Sequence, residues 1–148
     1  MNKIYSLLLV LVVALSAFAM KGITMQQGPE TWTQAQLMPP AELARSLKEG
    51  SKVTTYIYNI GPSGYIKNSI DIGEGREKPN IEKLKKAVSG LPKDARIVIY
   101  CGCCPFKNCP NVRPAFKMLS DQKFTNHKLL NLPNNLKVDW IDKGYPMQ

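Results

Sequence analysis

Four cysteines fall within nine residues, Cys101-Gly102-Cys103-Cys104-Pro105-Phe106-Lys107-Asn108-Cys109, and the rest of the chain has none. Sulfur at that density supports nucleophilic attack by a thiolate, thiol–disulfide redox work, or ligation of a soft metal. The cluster directly follows the apolar run Ile97-Val98-Ile99-Tyr100, so Cys101 stands at the carboxyl end of a buried strand. Just beyond it, Asn111 reads as the cap of a helix that tolerates Pro114 in its first turn and carries the stripe Val112, Ala115, Phe116 and Leu119. A loop closing on a helix N-terminus turns backbone N–H groups inward, with the helix dipole behind them, and so stabilises an anion. The Cys101 thiol should therefore ionise below its free value of ~8.5, which makes it the expected nucleophile. Gly102, Cys103, Cys104, Lys107, Asn111 and Arg113 form the surrounding loop expected to bind substrate. Lys107 and Arg113 either add positive charge there or stand as ordinary exposed cations.

The other three cysteines have three competing readings. An even count in an oxidising compartment favours a bridge from Cys109 to Cys103 or Cys104. Alternatively, one of them resolves an oxidised or sulfur-loaded Cys101 as a disulfide. Four sulfurs also meet the ligand count for copper(I) or zinc. Against a metal, one crowded loop lacks the two separated ligand pairs usual for zinc, and no metal or other cofactor is assigned.

The chain must leave the cytoplasm for that redox argument to hold, and its first residues support export. Lys3 is followed by an apolar stretch through Leu7 to Leu15, then by the small-x-small pattern Ala17-Phe18-Ala19. This reads as a signal peptide cleaved after Ala19, giving a periplasmic or secreted domain with no stable membrane insertion. An uncleaved anchor is the alternative, but the stretch falls short of the ~20 residues a spanning helix needs. Cleavage removes one lysine from a chain of 148 residues with formal net charge +9, so the mature domain stays basic. That suits small anionic substrates, an acidic partner or an anionic surface, whereas nucleic acid is a poor fit for an exported chain. Residues 20–35 read as a leader, partly ordered through Trp32, and residues 36–148 as one domain.

Helix and strand signals alternate along that domain. Pro39-Pro40 opens a helix burying Leu43 and Leu47 and ending at Gly50; Val53 to Tyr58 and Ser69 to Ile72 read as strands. A second helix carries Ile81, Leu84 and Val88 up to Gly90 and Pro92. After the Arg96 to Tyr100 strand, the cysteine loop and the third helix come a short strand, His127 to Leu130, and a helical turn over Val138 to Lys143. Strands separated by helices imply an α/β fold with a mainly parallel sheet covered on both faces, and a site beyond the strands' carboxyl ends.

From about residue 36 onward the chain resembles the rhodanese family of single-domain sulfurtransferases. The resemblance rests on Pro40-Ala41-Glu42-Leu43-Ala44, on Gly64-Tyr65-Ile66-Lys67-Asn68-Ser69-Ile70 in place of a Gly-His-Ile-Pro-Gly-Ala segment, on the strand ending in Cys101, and on Trp140 to Pro146 in place of a Trp…Gly-Tyr-Pro ending. It implies a three-layer fold around a sheet of five strands, with Cys101 carrying a sulfane sulfur. A small anionic donor such as thiosulfate would give up sulfur to Cys101, and the persulfide would pass it to cyanide, a thiol or a protein acceptor. Two departures stand out. Asn59-Ile60-Gly61 replaces the family's Asp-x-Arg, removing an ion pair that braces the site, and the loop from Cys101 to Asn111 is longer than usual.

Other classes remain open on sequence grounds. A thiol-redox or soft-metal module on the same fold would use the Cys101–Cys109 cluster without sulfur transfer. Phosphatases and arsenate reductases enlarge a similar loop around a tetrahedral oxyanion and close it with arginine, where this chain has Lys107, a cation without the bidentate fork. His127, the sole histidine, is read as packed rather than as a general base, and Phe116 and Trp140 as core.

Overall fold

The computed structural model describes residues 32–148. The segment read as a signal peptide and most of the expected leader lie outside the described residues. Among those residues, no helix is long and apolar enough to cross a membrane. The described unit begins at Trp32, inside the segment read as leader.

Five strands form one sheet, all parallel: β1 (Leu37–Met38), β2 (Thr55–Asn59), β3 (Ser69–Asp71), β4 (Arg96–Tyr100) and β5 (His127–Leu130), in the order β1-β5-β4-β2-β3. The helices are α1 (Pro40–Glu49), α2 (Lys78–Val88), α3 (Val112–Asp121) and the single turn α4 (Leu136–Asp139). This is the α/β three-layer architecture expected from the sequence. Central β4 is buried from Ile97 to Tyr100 because both of its faces are covered, as in parallel sheets generally.

Side chains alternate across each strand, and that alternation decides what Cys101 faces. Ile97 and Ile99 enter one core cluster with Leu84 and Val88 of α2 and Val112, Ala115, Phe116 and Leu119 of α3. Val98 and Tyr100 enter the other, with Leu43 and Ala44 of α1, Leu136 and Trp140. Cys101 continues the phase of Ile97 and Ile99, so its side chain joins the α2/α3 face.

Several boundaries differ from expectation. Val53 lies outside β2 and is 57% exposed, its N–H held by the Ser51 hydroxyl in a turn. Strand β1 has only two residues before Pro39 and carries no sequence period of its own. The last helix starts at Leu136, not Val138, because the Asn135 side chain accepts the Val138 N–H at 2.9 Å and caps it.

The two C-terminal pieces of the family resemblance meet in space. Trp140 is fully buried, its indole N–H donates to the Pro146 carbonyl at 3.1 Å, and its ring meets Tyr145 edge-on at 5.2 Å. Pro146 accepts the Lys67 N–H, Met147 bridges Ile66, and the Gln148 N–H donates to Tyr65. The chain end thereby pins the Gly64–Lys67 segment, which in turn holds Tyr100. The Tyr100 hydroxyl accepts the Ile66 N–H at 3.0 Å and donates to the Gly64 carbonyl at 3.2 Å, leaving the Ser69 hydroxyl to donate to it at 3.0 Å. Tyr100 is the last strand residue before Cys101, so this anchoring fixes where the site begins.

Ile99 is fully buried in β4. Replacing it with alanine is expected to cost about 2–5 kcal/mol, read as a lower urea midpoint at unchanged slope.

Candidate functional site

The C-terminal edge of a parallel sheet gathers the loops that follow its strands. Here Asn59 of β2 pairs with Tyr100 of β4 and with Asp71 of β3, so the segments after all three strands leave from one level. Cys101 sits at the centre of that edge, 3% exposed.

Burying a thiolate raises its pKa unless donors replace the lost water. At Cys101 the donors win. The Cys109 thiol makes the strongest contribution, opposed by burial and joined by the Asn111 amide, the Cys103 backbone N–H and the Cys103 thiol, and together they hold Cys101 at about 5. Asn111 Nδ2 lies 3.3 Å from the Cys101 sulfur. Its orientation is settled by the other end of the amide, where Oδ1 accepts the Arg76 N–H at 3.1 Å. The neighbours take the opposite shift. Burial, and hydrogen bonding to Cys101, push Cys103 up to about 12, and donation to Cys101 followed by burial raises Cys109. The site therefore holds one negative sulfur with two thiols donating to it.

The sulfurs are close together. Cys101 Sγ and Cys103 Sγ are 3.1 Å apart, Cys103 Sγ and Cys104 Sγ 3.4 Å, and the sulfurs of Cys101, Cys103 and Cys109 all lie within 4.8 Å of one another. All four are free thiols in the structure. Cys101 and Cys109 are buried, Cys104 is half-buried and Cys103 is exposed.

Asn111 does not cap α3 with its side chain as the sequence suggests. It is buried, with its amide committed to Cys101 and Arg76, while its backbone N–H donates to the Cys109 sulfur. The loop's length goes into a short 3-10 turn, Phe106–Asn108, rather than into an open cradle. Phe106 is buried and its N–H meets the Leu132 carbonyl at 3.4 Å. Lys107 projects from that turn, exposed. Arg113 lies 5.1 Å over the Trp32 ring, which also packs edge-on against Phe116 at 4.9 Å and Phe106 at 6.4 Å. The loop residues thus divide: Cys103, Cys109 and Asn111 contact Cys101, while Arg113 serves the aromatic cluster that seats the start of the described chain.

Gly102 belongs to the loop expected from the sequence, whereas Gly61, Ser63 and Asn59 were not legible as site residues. Gly61 follows β2, and a Cβ there would fall 2.3 Å from the Cys101 sulfur, so only glycine leaves room for it. Gly102 has φ 77°, and a Cβ would meet the Ser63 hydroxyl at 2.6 Å and Leu136 at 2.7 Å. Ser63 donates its hydroxyl to the Cys101 carbonyl. Ser63 also accepts from buried Asn59, whose Nδ2 reaches its carbonyl at 3.0 Å while Oδ1 takes the Gly61 N–H at 3.1 Å. Where the family resemblance implies an ion pair, a neutral amide braces the loop instead. The signal available was Asn59-Ile60-Gly61-Pro62, which reads locally only as a strand end.

His127 pairs with Ile97 at the opposite end of β4 from Cys101, packs at a tilt against Phe116 with ring centroids 4.3 Å apart, and hydrogen-bonds to Ser120 and Phe124. Burial lowers its pKa. It is a packed histidine, remote from the sulfur cluster.

Alkylation of Cys101 is expected to rise with pH through a midpoint near 5, since the thiolate alone reacts and is lost as pH falls through its pKa. Asn111→Ala removes a donor to the charged form and is expected to move the midpoint upward, so that alkylation at acid pH slows roughly tenfold for each pH unit the midpoint moves. Rate against pH, with Cys101 identified by peptide mass, checks both.

No family model, curated protein or solved structure matches the chain. What the site does must be read from its own geometry.

Proposed function

We propose that the protein is a sulfurtransferase in which Cys101 takes a sulfane sulfur from a small anionic donor, as the resemblance to rhodaneses implies, and passes it to a thiophilic acceptor. The observation that carries this reading is a buried sulfur held ionised by three neighbouring residues at the mouth of a parallel sheet. A nucleophile of that kind is largely thiolate at neutral pH. With thiosulfate, the Cys101 thiolate attacks the outer sulfur, the S–S bond of the donor breaks, and sulfite leaves with the bonding pair. The product, a persulfide, is again an anion of soft sulfur, and the Asn111 amide and the Cys109 thiol that served the thiolate serve it too. An acceptor thiol or cyanide then removes the outer sulfur and regenerates Cys101, giving ping-pong kinetics. The strong positive charge of the chain favours encounter with an anionic donor. The signal peptide read from residues 1–19 of the sequence argues for a periplasmic or secreted site of action.

Mixing the reduced mature protein with thiosulfate and quenching early is expected to show one added sulfur, about 32 Da, on the peptide holding Cys101, with sulfite released in equal amount. An unchanged mass, or a Cys101→Ser variant that produces thiocyanate from cyanide as well as wild type, removes this reading.

One observation favours a second reading. Three sulfurs within 4.8 Å of one another match the compass of a three-thiolate site for a soft cation such as copper(I). If that is the role, one copper per chain survives gel filtration and is lost in Cys103→Ser; weak, non-stoichiometric copper excludes it.

A further inference from the structure

Cys103 is the cysteine closest in sequence to Cys101 and the most exposed of the four, and its sulfur lies 3.1 Å from that of Cys101. Gly102, at φ 77°, turns the backbone between them so that both side chains converge. Van der Waals contact between two sulfurs is the starting geometry for thiol–disulfide exchange, provided that one of them carries a leaving group. A persulfide on Cys101 supplies it.

We infer that Cys103 resolves the Cys101 persulfide by attacking its inner sulfur, so that the protein releases hydrosulfide and closes a Cys101–Cys103 disulfide for reduction by an external dithiol. This rests on the persulfide chemistry proposed above and adds a second outcome to it, reductive release in place of transfer. In the first step the Cys103 sulfur bonds to Cys101 Sγ, the bond from Cys101 Sγ to the outer sulfur breaks, and the outer sulfur departs with the electron pair and the Cys103 proton as HS⁻. In the second, one sulfur of the dithiol attacks Cys103 Sγ and expels the Cys101 thiolate; its other sulfur then closes on the first and returns Cys103 as a thiol. The dithiol becomes a cyclic disulfide and releases one proton. Over a full cycle thiosulfate and a dithiol give sulfite, hydrosulfide, a proton and the oxidised dithiol.

Burial and leaving-group chemistry point the same way at each step. Buried Cys101 is out of reach of a protein reductant, whereas exposed Cys103 presents the sulfur an incoming thiol must strike. The thiol of lower pKa leaves faster from a disulfide, and Cys101, held by the Cys109 thiol and the Asn111 amide, is that thiol. Ionised Cys101 is one of the groups that keep Cys103 protonated in the resting state. Capping Cys101 with sulfur removes the charge from its Sγ, so Cys103 is released to attack only after loading. Cys109, also in contact with Cys101, is buried and donates to it, which suits holding the anion rather than meeting a reductant.

A single turnover without any external thiol tests this. Reduced protein, freed of reductant under anaerobic conditions, is mixed with thiosulfate and followed by intact mass, sulfide release and peptide mapping. Wild type is expected to gain about 32 Da transiently, release one hydrosulfide per chain and finish about 2 Da lighter than it began, with the disulfide mapped to Cys101 and Cys103. Cys103→Ser and Cys103→Ala are expected to load sulfur on Cys101 and retain it at least roughly tenfold longer than wild type. Equal persulfide lifetimes in wild type and the variants, or a disulfide that maps to Cys109 or Cys104, overturns the inference while leaving sulfur transfer standing. Failure of every form to load sulfur overturns both.

Discussion

Everything about this site follows from one constraint: an anionic sulfur is held away from water at the end of a central strand. Burial alone drives a thiol toward its neutral form, so the anion persists only where fixed donors replace its hydration. Cys109, Asn111 and Cys103 provide those donors, and the outcome at Cys101, an ionisation near 5, shows which effect prevails. The donors are themselves changed by the task. Cys103 and Cys109 are pushed toward the neutral state because their protons are what the anion needs. Three sulfurs within contact range thus behave as one acid that has lost one proton, and a second ionisation works against the first.

The fold serves that constraint by delivering donors from separate segments to one point. The alternation along β4 aims Cys101 into the α2/α3 face, beside residue 111 at the start of α3. Gly61 passes close enough to the sulfur that any side chain would displace it, and Gly102 turns tightly against Ser63 and Leu136. The neutral chain Asn59, Ser63 and the Cys101 carbonyl ties the end of β2 to the end of β4. An ion pair at this edge would put two opposite full charges near a thiolate, whereas amide and hydroxyl bonds give rigidity without adding any. A neutral brace suits a site whose ionisation is set by hydrogen bonds.

The layered α/β class, the helices and the place of Cys101 at the end of a buried strand were legible in the sequence because each has a local signal. The aliphatic run before Cys101 has a buried strand's composition, and Leu84, Val88, Phe116 and Leu119 keep helical spacing. What failed to show were contacts between segments distant in the chain, for which no local pattern exists. Asn111 has the residue type and position of a helix cap, and the same polar amide is equally suited to a thiolate; only the approach of Arg76 and Cys101 distinguishes the two uses. Gly61-Pro62 ends a strand by its composition, and nothing nearby says that a sulfur occupies the space a Cβ would fill. The two-residue β1 escapes because it is held by register with Leu129 and Leu130 and not by a period of its own.

The single shared charge also bears on how the cluster is used. A three-thiolate metal site needs all three sulfurs deprotonated, so a cation must expel two protons from thiols that the fold holds firmly protonated, and its apparent affinity falls accordingly at neutral pH. Covalent capture of sulfur needs one thiolate, already present at Cys101, and keeps the other two protons where they stabilise the product. The protonation pattern built into the loop is that of a nucleophile with attendant donors. Exposure then orders the sulfurs from buried Cys101 to exposed Cys103, so that the sulfur performing the chemistry is shielded and the one able to meet another molecule lies in contact with it.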